Sequence, residues 1–204
     1  MNKTLIACGL GILLLASGLP VAYLAWPART PASVAIAEGA AIGGPFELRD
    51  PTGRTVTEQT FRGQWTLMFF GFTHCPDVCP TALTRVAAIL RTLDQQAGQL
   101  QPLFITLDPE RDTPEILSDY TRHFDPRILG LTGTPEQIDA ISDAYRVYAR
   151  KVPMGDSYTL DHSAVMYLIG PDGELVKHFT QQMDTNAMAR EIADALPRSA
   201  GDHQ

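Results

Sequence analysis

Residues 65–73 read WTLMFFGFT, nearly unbroken apolar and without a helical period, which predicts a central strand buried on both faces. The pattern changes after Pro80. In TALTRVAAILRTLDQQ, Leu83, Val86, Ala87, Leu90 and Leu93 recur at helical spacing and predict an amphipathic helix. PLFITLD is a second buried strand, and ILGLTG a short third one. TPEILSDYTRHF and TPEQIDAISDAYRVYARKV (134–152) each open on Thr-Pro-Glu, a cap, a proline at the first helical position and an acid in the first turn. The repeat therefore marks two helix starts, not an internal duplication. SAVMYLIG, PDG and ELVKHF predict a hairpin with Asp172-Gly173 in its turn, and NAMAREIADALP a closing helix.

Strand and helix thus alternate three times before a hairpin and a last helix. That order predicts one α/β domain, a parallel sheet with one antiparallel edge covered by helices. No low-complexity tract and no second domain is visible.

The first 26 residues are a different material. From Leu5 to Trp26 there is no charged side chain, and a helix of that length spans about 33 Å, enough for a bilayer core. An Ala-x-Ala pattern at Ala35–Ala37 lies too far downstream for a usual signal cleavage site. A lipoprotein box ending at Cys8 would have no apolar region before it. We therefore expect an uncleaved anchor over 1–26, an Ala/Gly/Pro/Ser-rich linker over 27–41, a globular domain over 42–197 and a short tail over 198–204. Lys3 before the apolar run weakly favours a cytoplasmic N-terminus. The net charge of −7, with no basic stripe, argues against a nucleic-acid surface.

Cys8 falls in the apolar run, so Cys75 and Cys79, in GFTHCPDVCP, are the only thiols of the domain. A disulfide between them would close a tiny loop and stabilise little. Pro80 predicts that Cys79 is the helix N-cap, with Cys75 in the loop before it. The positive end of a helix stabilises thiolates there. A cysteine pair between a buried strand and the next helix is the thioredoxin-like arrangement, here with three intervening residues instead of two. Two soft sulfurs beside Asp77 make a thiophilic metal site, for which a third ligand is expected. Of the five histidines, His203 is in the tail, His123 and His178 sit near element ends, and His74 adjoins Cys75 in an extended stretch. His162 immediately precedes the strand SAVMYLIG. In a thioredoxin-like sheet that loop lies against the cysteine loop, and Asp161-His162-Ser163 replaces its usual cis-proline. A structural histidine and a ligand are both open readings of His162 at this point.

GFTHCPDVCP, TLDPERDTPE (106–115) and DHSAVMYLIGPDG (161–173), in that order, resemble the Sco/SenC family of membrane-anchored, thioredoxin-like copper-binding proteins. The resemblance covers roughly Ile42 to Leu196 and places the family's copper ligands on Cys75, Cys79 and His162. It implies delivery of copper, as Cu(I) or Cu(II), to the binuclear copper centre of cytochrome c oxidase. The implied partners are the subunit bearing that centre and another copper donor. The implied location is the inner membrane, single-pass, with the domain in the periplasm. Asp77 and Asp161 match family positions but receive no ligand role. Asp108 starts an acidic stretch that either docks a partner or caps the next helix, the latter being the plainer reading. The competing function is a thiol–disulfide oxidoreductase acting on the acceptor's cysteines, with Cys75 attacking and Cys79 resolving. A peroxidase is a third class, but its threonine and arginine partners are not identifiable.

Overall fold

The computed structural model describes residues 42–197; the expected anchor, linker and tail lie outside them. Among the described residues no helix is long and apolar enough to cross a membrane. The elements, in chain order, are β1 (Glu47–Arg49), β2 (Thr55–Thr57), β3 (Trp65–Gly71), α1 (Val78–Leu93), β4 (Leu100–Thr106), α2 (Pro114–Arg122) and β5 (Leu129–Leu131). There follow α3 (Pro135–Ala144), β6 (Ala149–Met154), β7 (Ser157–His162), β8 (Val165–Ile169), β9 (Leu175–Thr180) and α4 (Thr185–Ala195).

Five strands form one sheet in the order β5-β4-β3-β8-β9. β3 lies at its centre, parallel to β4 and antiparallel to β8. Six of its seven residues are buried, which is why its sequence is a continuous apolar run. Alternate side chains serve opposite faces. Phe69 packs on Phe104, and Phe104 on Tyr120 of α2, while Phe70 packs on Tyr145 after α3 and on Tyr167. α1 and α4 pack against each other. The antiparallel partner β8 lies inside the sheet, not at the expected edge, because the β8–β9 hairpin adds two strands and its first pairs with β3.

Both Thr-Pro-Glu starts cap as expected. Thr113 accepts from the Ile116 N–H, and Thr134 and Gln137 form a reciprocal capping box. The helix expected over 134–152 is shorter, however. It ends at Ala144, Arg146 adopts a left-handed φ of 55°, and 149–154 becomes β6. Gly155, with φ 59°, turns the chain back into β7. The run YRVYARKV carries β-branched and aromatic residues that suit a strand as well as a helix, and the Gly155-Asp156 turn decides between them. This hairpin and the β1–β2 hairpin at the start of the domain are additions to the expected order.

Candidate metal centre

The chain leaves β3 through Gly71 and Phe72 and reaches Cys75, whose N–H donates to the Phe72 carbonyl at 3.3 Å. α1 starts at Val78, so its N-cap is Asp77 and not Cys79. Pro80 allows this because the first turn of a helix has no use for its N–H groups, and the first i to i−4 bond runs from Thr81 to Asp77. Cys79 is therefore inside the first turn, and its own N–H points at Cys75 Sγ from 3.4 Å. Its thiol is wholly buried, whereas Cys75 is half-buried. Gly71 makes the space: a Cβ there would lie 2.7 Å from Cys79 Sγ and 2.9 Å from the Phe104 ring.

His162 ends β7 and reaches the same point from the other side. Its Nε2 lies 3.7 Å from Cys79 Sγ, and the three donor atoms all lie within 4.8 Å of one another. The Nδ1 side faces the Ser163 carbonyl at 3.0 Å. A carbonyl only accepts, so Nδ1 turns its N–H to Ser163 and Nε2 is the nitrogen that faces the thiols. The Phe72 ring meets the imidazole edge-on at 5.7 Å and limits its rotation.

The two thiols are electrostatically unequal. Cys75 is lowered from 9.0 to about 5, chiefly by the hydrogen bond from the Cys79 thiol, against the opposing effect of burial. Backbone N–H groups of Asp77 and Cys79 and the His162 ring assist. Cys79 is raised, first by that same bond to Cys75 and then by burial. At neutral pH the pair thus holds one thiolate and one shared proton. A bound cation would displace that proton and turn both sulfurs into ligands. One imidazole and two sulfurs with no hard oxygen donor among them suit a soft ion.

The remaining candidates are not brought to the site. His74 is exposed, 3.9 Å from an oxygen of Asp112. His123 faces the Asp119 carbonyl, His178 is exposed on β9, and His203 lies outside the described residues. Asp77 is exposed beside Thr81, and Asp161 is exposed and pairs with Arg150 at 3.6 Å. Asp108 neither docks at a free surface nor caps α2; it is buried, and Thr113 is the cap. A shallow groove of about 200 Å³ between Cys75, Val78, Leu160 and His162 opens the centre to solvent. A slightly larger cavity of about 230 Å³, by Thr66, Met68 and Tyr145, lies on the sheet face away from the thiols.

A mixed-sheet thioredoxin-like domain with a dithiol–imidazole cluster at the start of its first helix defines a class of metal-binding and redox proteins. The SCO1/SenC family model matches residues 34–197, and the chain belongs to that family. It is 45% identical over 156 residues to the human protein described as "Protein SCO1 homolog, mitochondrial", covering 74% of this chain and 52% of that one. The chain spans about half the length of the curated relatives it matches first. Among solved structures, Arabidopsis thaliana ScoI with copper bound is 42% identical, with a TM-score of 0.72 over 76% of this chain and 97% of the other. Bradyrhizobium japonicum ScoI with copper bound is 44% identical, with a TM-score of 0.72 over 76% and 100%.

Proposed function

We propose that this chain binds copper through Cys75, Cys79 and His162 and delivers it to the binuclear copper centre of cytochrome c oxidase during assembly. The observation that carries the reading is the convergence of two sulfurs and an imidazole nitrogen within 4.8 Å. The copper-bound relatives support it. The Cys75 thiolate, half-exposed at the groove, is the natural point of entry and the first ligand to yield to an incoming acceptor cysteine. Two thiolates suffice for Cu(I), while the imidazole completes a set that also holds Cu(II). The 1–26 run would anchor the domain to the inner membrane, facing the periplasm.

One observation favours a second reading. A low-pKa, half-exposed Cys75 beside a buried, protonated Cys79 is also the arrangement of a dithiol reductase. Cys75 would attack an acceptor disulfide and release one acceptor thiolate. Cys79, losing its proton, would then break the mixed disulfide and leave the pair oxidised and the acceptor with two thiols.

His162→Ala separates the two. A reductase keeps its dithiol–disulfide cycling without the imidazole, whereas a copper carrier loses a ligand. We expect the variant to lose its thiolate-to-copper charge-transfer absorption and to fail to restore oxidase assembly at low copper. Normal assembly with His162→Ala, and its loss with Cys75→Ser, would establish the reductase instead.

A further inference from the structure

The β6–β7 hairpin carries His162, yet among the described residues it pairs with no other strand. Leu160 is its one buried residue. Strand hydrogen bonds therefore do not set the distance between the hairpin and the cysteine loop. The acidic stretch after β4 touches both. Asp108 and Asp112 are 1% and 0% exposed, and one turn of backbone binds them together, with the Asp112 N–H donating to the Asp108 carbonyl at 2.9 Å. That backbone turn links the two carboxylates.

Asp112 faces the cysteine loop. It accepts from the Thr73 N–H at 3.0 Å, from the Thr73 hydroxyl at 2.5 Å and from the Thr106 hydroxyl at 2.6 Å. Thr73 stands two residues before Cys75. Asp108 faces the hairpin, accepting the Tyr158 hydroxyl at 2.7 Å and the Arg111 guanidinium. Arg111 in turn lies 3.8 Å from the centre of the Tyr158 ring and donates to the Tyr158 carbonyl at 3.1 Å. Tyr158, Leu160 and His162 share one face of β7 by strand alternation, so Tyr158 is held on the same strand face that carries His162.

We propose that Asp108–Asp112, gripping Thr73 at one end and Tyr158 at the other, is a clamp that sets the reach of His162 to the thiol pair. Tyr158, Arg111 and Asp112 are positioning residues for the metal centre. The inference rests on the copper-site reading above. Its consequence is selective. Cu(I) held by two thiolates tolerates a loose imidazole, but the Cu(II) form needs it, so loosening the clamp weakens Cu(II) far more than Cu(I).

Tyr158→Phe removes one hydroxyl and leaves the ring under Arg111. In the full chain, Cu(II) and Cu(I) affinities are measured by competition, and the Cu(II) site by its charge-transfer band. We expect Cu(II) affinity to fall about tenfold or more with an altered band, as second-sphere losses do elsewhere. Cu(I) affinity and dithiol–disulfide cycling stay within about twofold, since no thiolate contact is lost. Arg111→Lys, which loses the stack and the carbonyl bond, repeats the pattern. In a His162→Ala background Tyr158→Phe has no further effect on Cu(II), the mark of an action through the histidine. An unchanged Cu(II) band and affinity in both variants overturns the clamp. So does an equal loss of both oxidation states, or the same loss without the histidine. His162→Ala with an unchanged Cu(II) band instead sinks the ligand reading beneath it, whatever Tyr158→Phe does.

Discussion

Cys75 and Cys79 differ by four positions and by opposite protonation behaviour, because one sulfur accepts the bonds and the other is shut in. The folded Cys75 thiol, lowered to about 5, is mostly thiolate at neutral pH. Its alkylation rate in the apo domain should climb as pH rises through about 5 and level off above it. An ordinary thiol would keep climbing to about 8.5. The sign for stability is the same: the thiolate's contribution is complete above the unfolded value of 9.0 and is lost as pH falls through about 5. A rate still rising steeply at pH 8 would contradict the assignment. The serine variants should also differ. Cys75→Ser is half-exposed and costs little stability, while Cys79→Ser puts a hydroxyl in a fully buried place at a cost of about 1–3 kcal/mol. Both should abolish tight copper binding. Denaturant titration with copper stoichiometry measures the two effects together, and one retained equivalent of copper in the double variant would move the site elsewhere.

At the level of elements, the centre depends on how closely α1 approaches β3. Gly71 is where the helix start meets the strand end, and no side chain fits between Cys79 and Phe104 there. Gly71→Ala should cost about 1–3 kcal/mol by overpacking. It should also push Cys79 Sγ away from His162, weakening copper binding although no ligand is replaced. Gly98→Ala, where an added Cβ meets nothing within 4 Å, is the control and should stay within about 0.5 kcal/mol of the parent. Equal behaviour of the two variants would mean that the close approach does not matter.

For the whole molecule, the proposed anchor would restrict the domain to a membrane surface, where its acceptor would be embedded. The full chain should fractionate with membranes and retain peptides from the Leu5–Trp26 run, while a chain starting near Ile42 should be soluble and fold. Mass spectrometry that finds a mature N-terminus near Glu38 would exclude the anchor. The −7 net charge is compatible with a periplasmic domain but selects no partner.

Local patterns were enough to read the buried strands β3 and β4, the capped starts of α2 and α3, the Asp172-Gly173 turn and the thiol pair. In each case the cause lies within a few residues: apolar period, cap chemistry, proline, turn glycine. Three motifs in order also pointed to the family, and the ligand set they imply is the proposal made above. What lay beyond local reading was long-range. YRVYARKV suits helix or strand alike, and becomes β6 by pairing with β7. The acidic stretch 108–112 looks like a helix cap until Thr73, 39 residues from Asp112, and Tyr158, 50 residues from Asp108, are found on its carboxylates. Nothing in the apolar run singles out Gly71 until the Cys79 sulfur is seen against it. Hydrophobic period records which side of an element is buried, but not which distant side chain it will meet there. Those meetings depend on close packing across the whole domain, and they bring His162 to the two thiols.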